Sequence, residues 1–431
     1  MMQFVPSRLL EHGGTACGAA VLLAFGLLQG TEIQTLTLDL LVVTVQFVVL
    51  EALSAMAVFT FFVSLTGLLL IREVWQSREP LESVTDGPRL TAVVPVYRDH
   101  AVMDVSVESL AASAYENLEV VIVAEPNDEA TVERARELAA EYDPVEVLIN
   151  GESGSKAGAI NYAVRERDSD HFAVFDADEW IAPEFLPTAM GQLLEGVDVF
   201  QGRRVPRPTG PVETVAYCER IVFHASYKMV ELFGFTNCRS SSTAFTREAI
   251  ERVGGYDDVL TEDLAFAHAC YREGLDVRQA RHCTNTMEAP HTLRDLWGQR
   301  KRWRVGQVEV LHATLVDFLR GRAGRRGLIS VGRMCSSLFG CLVTLVLVSK
   351  LLLLLVLGVE SAFLVPAAAL LATIGLVAWR DARDGRIDDL GWSVLFAPLL
   401  YPAFGVLTLR SLLEYCLSWD GRWYRVEKTG S

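Results

Sequence analysis

Two carboxylates one residue apart, Asp176 and Asp178, follow the short apolar run 171–175. A D-x-D on an extended tip can give one acid to a hard divalent cation and the other to a sugar hydroxyl. In a chain with 54 acidic residues the same triplet also arises on a solvated loop. Upstream, Gly154, Ser155, Lys156, Ala157 and Gly158 form a small-residue loop that opens a helix. Backbone N–H groups and a lysine at such a turn suit a phosphate or a sugar, and a capped helix start with a surface lysine reads alike. Of 39 basic residues only Lys156, Lys228, Lys301, Lys350 and Lys428 are lysine, which favours a binding role for Lys156. Downstream, Thr261, Glu262 and Asp263 precede a helix-period run. They serve equally as an acid-rich helix start or as a general base with its neighbour. Gln299, Arg300, Lys301, Arg302 and Trp303 follow. Arginine grips a diphosphate bidentately and tryptophan stacks on a sugar face, while a basic stretch before an apolar segment also anchors lipid headgroups.

The elements that must position these groups are visible as short Val/Ile-rich runs at 90–97, 118–124, 145–149 and 171–175, separated by helical stretches such as 128–142. Near-continuous apolar strands alternating with helices predict a parallel sheet covered on both faces. Ligands of such sheets bind beyond the carboxyl ends of the strands. Two strands run into acid there, one at Glu125 and one at Asp176.

Composition narrows the rest. The chain has 431 residues, 51% hydrophobic and 22% charged, with a formal net charge of −15 and a mean hydropathy of +0.26. That combination excludes collagen-like, disordered and disulfide-stapled classes. An acidic, arginine-using surface suits high salt, as in halophiles, and argues against nucleic-acid binding, which needs a basic face. Eight scattered cysteines show no metal-binding spacing and predict a reduced compartment. Apolar runs at 16–28 and 36–71 predict two N-terminal spans, cleanest over 52–71. Further spans are expected at 328–358, 362–379 and 391–413, the last interrupted by Pro398 and Pro402. The domains expected are therefore transmembrane helices in 1–75, a catalytic domain in 85–310, and interfacial plus transmembrane helices in 311–431. Arginines at 72, 78, 322, 325, 326, 380, 383 and 386 place the loops and the catalytic domain on the cytoplasmic side of the cell membrane. The last segment either crosses or returns as a hairpin, which decides the side of the tail.

The pieces together resemble family 2 glycosyltransferases, in the membrane-integrated branch of cellulose, hyaluronan and poly-N-acetylglucosamine synthases and ceramide glucosyltransferase. The resemblance rests on VVPVYRD (93–99), IVAEPNDEAT (122–131), GSKAGAINYA (154–163), FDADEW (175–180), GGYDDVLTEDLAF (254–266) and QRKRW (299–303). It implies an α/β GT-A fold with a Rossmann-like, mostly parallel sheet, and inverting transfer from a nucleotide-diphosphate sugar, usually UDP. By the same resemblance, Glu125, Lys156, Asp176, Gln299 and Arg302 would bind the donor, and Asp178 would coordinate Mg²⁺ or Mn²⁺. Asp263 would be the general base, with Glu262 and Trp303 on the acceptor side. Two departures stand out. Ala124-Glu125-Pro126-Asn127 replaces a common D-D-G-S, and the acceptor-side segment RSSSTA (239–244) has no glycine. The tail WDGRWYRVEK (419–428) is similar to the branch's C-terminal stretch and favours the hairpin. Partners implied are a nucleotide-sugar donor, a glycan or lipid acceptor and the bilayer. Alternatives are single-sugar transfer to a lipid or polyprenyl phosphate, and a transporter or inactive nucleotide-sugar-binding membrane protein.

Overall fold

The computed structural model describes residues 4–40, 43–76, 81–152, 154–359 and 361–418, with Tyr424, Val426 and Lys428 of the tail. The tail residues Trp419 and Trp423 lie outside the described residues. Helix α1 (Phe4–Gly30) is followed by strands β1 (Ile33–Leu40) and β2 (Val43–Leu50) and helix α2 (Glu51–Trp75). The first half of the 36–71 run is thus a hairpin and not part of a span. Its sequences, IQTLTLDL and VTVQFVVL, alternate polar and β-branched residues with period two, and they pair antiparallel from Ile33↔Leu50 to Leu40↔Val43.

The next block holds β3 (Leu90–Val96), α3 (Met103–Ala111), β4 (Leu118–Ala124), α4 (Glu129–Glu141), β5 (Val145–Ile149), α5 (Lys156–Glu166) and β6 (His171–Val174). After them come β7 (Glu179–Trp180), α6 (Phe185–Leu194), β8 (Val199–Pro206), α7 (Pro211–Glu231), β9 (Thr243–Thr246), α8 (Arg247–Val253), α9 (Glu262–Glu273), β10 (Val277–Met287) and α10 (Leu293–Leu319). The strands form one sheet in the order β5-β4-β3-β6-β9-β8-β10-β7. Strands β5, β4, β3 and β6 are parallel, as their apolar runs predict. The expectation of a mostly parallel sheet fails beyond β6: β9 runs antiparallel between β6 and β8, and β7 antiparallel to β10. The sheet is mixed because this half carries polar strands such as VFQGRRVP, whose arginines serve the site and obscure the apolar signal.

Each central strand buries both faces. Leu90, Ala92 and Val94 pack on one side with Met103, Leu110, Leu138 and Leu186, while Val93, Val121 and Val174 pack on the other with Ile160, Ala163 and Phe266. Continuous Val/Ile runs are what a doubly covered strand requires.

Helices α11 (Arg325–Val356) and α12 (Ser361–Arg383), a 3₁₀ segment (Trp392–Leu399) and α13 (Leu400–Leu417) complete the chain. Five helical segments among the described residues are long and apolar enough to cross a membrane. The fifth, Trp392–Leu417, has both ends against the catalytic domain. Gly391 lies beside Thr214 of α7 at its start, and Glu414 accepts from Lys301 of α10 at 2.8 Å near its end. In between, Tyr401 accepts from Thr344, midway along α11. Contacts of both ends with the same domain are compatible with the hairpin alternative. Lys350 pairs with Glu51 at 2.9 Å where α11 meets the start of α2, so these two charges in apolar helices satisfy each other. The catalytic domain is pinned to α12 by Arg203, which forks onto Asp381 at 2.5 and 2.6 Å, and by Tyr217, which donates to the same carboxylate at 2.6 Å.

Candidate active site

The carboxyl ends of β3, β4 and β6 carry Asp99, Glu125 and Asp176. The chain turns sharply after β3, with Arg98 at φ 57° and its N–H donating to Asp128. Beyond β4, Glu125 is buried and accepts from Asn150 at 2.7 Å, beside Gly154 of the small-residue loop. Ser155 caps α5 by accepting from the Gly158 N–H at 3.0 Å, and this cap fixes the first residue of the helix, Lys156.

Lys156 reaches Asp176 at 2.5 Å, and Arg204 of β8 holds the other oxygen of the same carboxylate at 2.5 Å. Burial alone would raise the Asp176 pKa, but the charges of Lys156 and Arg204 override it and hold the group well below the carboxylate range. Behind it, Glu179 is fully buried, accepts from Ser241 at 2.6 Å and from Ser242, and lies 3.6 Å from Arg204. Burial keeps the Glu179 carboxyl above its ordinary value. Ser242 sits at φ 49°, in the left-handed region. Its neighbour Ser240 donates to Glu262 at 2.8 Å. The serine loop thus ties the D-x-D turn to the T-E-D helix start, although it lacks the glycine its position led one to expect.

Glu262 and Asp263 open α9. Thr261 stands at the N-cap without closing the cap through its hydroxyl. Burial, with Asp263 adding repulsion, raises the Glu262 pKa, while the ammonium of Lys156 opposes the shift. Asp263 is half-buried, and its carboxylate accepts from the Leu264 N–H at 2.7 Å. Arg302, on α10, has its pKa lowered by burial and is drawn back by Glu262, Asp263 and Asp176. Asp176, Glu262, Asp263, Lys156 and Arg302 therefore lie close enough to act on one another electrostatically. Gln299, one turn before Arg302 on α10, accepts from Arg300, whose guanidinium also holds Glu219 and lies 4.2 Å over the Trp303 ring.

Asp178 is buried and accepts from Lys428 of the C-terminal tail at 2.9 Å, with Asp99 3.9 Å from the same ammonium. Burial would lower the Lys428 pKa, but Asp178, Asp99 and Asp176 drive it above its ordinary value. This corner is thus built for positive charge. Among the described residues no group of three or more His, Cys, Asp or Glu side chains could hold a metal by itself. The arrangement fits a Mg²⁺-like or Mn²⁺-like ion that shares one or two carboxylates with substrate phosphates. Sequence reasoning missed Arg204, Glu179, Asp99 and Lys428. Asp99 was within reach, since it closes a Val-rich run as Glu125 and Asp176 do.

Known proteins resemble this chain in sequence and in fold. The probable glycosyltransferase YdaM of Bacillus subtilis is 24% identical over 252 residues, covering 56% of this chain and 60% of the relative. The poly-beta-1,6-N-acetyl-D-glucosamine synthase of Staphylococcus aureus (strain COL) is 25% identical over 250 residues, covering 56% and 59%. The chain thus spans about three fifths of the length of these relatives. The mannosyltransferase PcManGT from Pyrobaculum calidifontis, solved with GDP-Man and Mn²⁺, matches in fold. Its TM-score is 0.56 at 19% identity, over 86% of this chain and 100% of that one. The family model described as glycosyltransferase like family 2 matches residues 88–306, just over half of the chain, and the chain belongs to that family of glycosyltransferases.

Proposed function

We propose that the protein is an inverting glycosyltransferase that moves a sugar from a nucleotide-diphosphate donor, with UDP-sugars the first to test, to a glycan or lipid acceptor at the cytoplasmic face of the cell membrane. The observation that carries this reading is the convergence of Asp176 and Lys156 with Glu262, Asp263 and Arg302 beyond the carboxyl ends of the strands. The relatives add weight: one is a poly-beta-1,6-N-acetyl-D-glucosamine synthase and one matched structure holds GDP-Man and Mn²⁺.

In this reading Glu125 meets the base, Asp176 the ribose or phosphates, and Lys156 and Arg302 the diphosphate. Gln299, now engaged with Arg300, would reach the donor only by turning away from it. Asp178, with donor phosphate oxygens, would hold Mg²⁺ or Mn²⁺, which supplies charge neutralisation for the leaving diphosphate. Asp263 takes the proton from the acceptor hydroxyl as that oxygen attacks the anomeric carbon from the face opposite the diphosphate. Glu262 and Trp303 line the acceptor side. The carbon–oxygen bond to the diphosphate breaks as the new one forms, so an α-linked donor gives a β-linked product. One in-line step needs no second nucleophilic carboxylate.

The test is a screen of nucleotide-sugar hydrolysis and transfer across several donors, with and without a chelator. Chelator-sensitive release of a nucleoside diphosphate from one donor is the expected result. No release from any donor, with Mg²⁺ or Mn²⁺ supplied, would refute the reading.

A further inference from the structure

Helix α9, which opens on Glu262 and Asp263, closes on Arg272 and Glu273. At that closing end it meets the connection between α10 and α11. Together they form a cavity of about 360 Å³ whose lining includes Arg272, Glu273, Asp317, Arg322, Arg325 and Arg326. The same three helices share an apolar contact, where Ala265, Val310 and Met334 pack together. The cavity walls therefore belong to one packed unit.

Charge in this cavity runs against the rest of the chain. Four arginines line it against two carboxylates, in a protein whose formal net charge is −15. Among the described residues the ion pairs within this group reduce to Arg322 with Asp317, 3.9 Å apart and more than half exposed on both sides. Such a pair is worth little in solvent. Arg326 donates to the Arg272 carbonyl at 3.4 Å, which sets its guanidinium at the end of α9. Gly274, at φ 72°, leaves room for it, since a Cβ there would collide with that guanidinium. Apolar surface begins immediately beside the charge. Leu328 and Ile329 in the first turns of α11 are exposed, and Leu319 in the last turn of α10 is 73% exposed. A soluble phosphate would use only the arginines. A lipid with a phosphate headgroup uses both, its chains covering the leucines and isoleucine.

We propose that this cavity holds the phosphodiester headgroup of an anionic membrane lipid, with Arg272 and Arg326 on the phosphate and the acyl chains along the start of α11. The site rests on α11 crossing the bilayer and is independent of the donor chemistry proposed above. Arginines flanking a span attract an anionic surface diffusely. Arg272 sets this place apart, because it comes from the catalytic domain, on the helix whose first turn carries Glu262 and Asp263. A headgroup held here ties the helix of the candidate base to the membrane surface.

The experiment titrates the full chain in maltoside micelles with short-chain phosphatidylglycerol, with phosphatidylcholine of the same chain length, and with glycerol phosphate as the soluble counterpart. The thermal midpoint reports binding. Phosphatidylglycerol should raise it to saturation, and phosphatidylcholine should not. In Arg272→Gln and in Arg326→Gln the apparent Kd for phosphatidylglycerol should rise about tenfold to a hundredfold, as loss of a hydrogen bond to a charged group implies. Arg272→Lys should recover part of the affinity. Arg320→Gln removes an exposed arginine of the same connection that does not line the cavity, and it should cost about fivefold or less, the share of diffuse attraction. Reading both cavity arginines keeps the comparison open where one variant folds poorly. Equal losses in Arg320→Gln and the cavity variants would overturn the proposal and leave only a charged surface. An equal response to phosphatidylcholine would overturn it too, and glycerol phosphate saturating at the lipid's concentration would give the cavity to a soluble phosphate. Donor hydrolysis on the same preparation keeps the two readings apart. Hydrolysis without a response to phosphatidylglycerol refutes this site alone, and the lipid response without hydrolysis upholds the site while refuting the donor chemistry.

Discussion

A divalent cation at Asp178, as proposed above, would compete with Lys428 for that carboxylate. The Lys428 ammonium donates to that carboxylate at 2.9 Å and keeps 28% of its side chain exposed. A hydrogen bond between charged groups in such a partly screened place is worth about 1.5–3 kcal/mol net. A cation that must displace it binds more weakly by that amount, or about tenfold to a hundredfold. Lys428→Gln should therefore tighten Mn²⁺ binding by that factor, and Lys428→Arg should not. Because the neighbouring acids hold the Lys428 pKa above its ordinary value, the competition persists across working pH. Calorimetric titration of Mn²⁺ in the presence of a nucleoside diphosphate measures it. Equal affinity in Lys428→Gln would show that the tail does not compete. Weaker affinity would show that the lysine holds the diphosphate rather than the metal's place.

Two further outcomes follow from buried charge. Asp381→Asn leaves Arg203 without its counter-ion inside the joint between the catalytic domain and α12, and breaking such a pair costs about 3–5 kcal/mol; a thermal melt in nanodiscs should show a midpoint clearly below wild type, and an unchanged one would mean the joint carries no stability. His291 lies 2.6 Å from Glu213 and 2.5 Å from Glu288. Burial opposes its charge, but the two carboxylates raise its pKa above 6.5. Its stabilisation is therefore complete below the unfolded value and lost as pH rises through the folded one. His291→Gln should flatten the fall in thermal midpoint over that window, and a parallel fall in both proteins would assign it to other groups.

Strands β3, β4 and β6 were legible because each buries both faces and so reads as an unbroken apolar run, and β5, the half-exposed edge, was legible from its Val, Leu and Ile. The antiparallel half of the sheet was not, since Arg203, Arg204 and Gln201 give β8 the composition of a surface strand while every residue in it is buried. The hairpin over 33–50 was absorbed into a span because its alternating Leu and Val raise mean hydropathy as a helix would. At the site, acids at strand ends and the lysine at a helix start were readable by position. The partners of Asp176 and Asp178 were not, because Arg204 and Lys428 arrive from 28 and 250 residues away.

The most direct measurement is donor turnover by Asp263→Asn at saturating donor and acceptor, with nucleoside diphosphate affinity determined on the same preparation. Removal of a general base at this position predicts a fall in kcat of about 10²–10⁴ with affinity unchanged. Turnover at the wild-type rate would contradict the assignment of Asp263, and loss of nucleotide affinity in step with turnover would place that carboxylate on the donor instead.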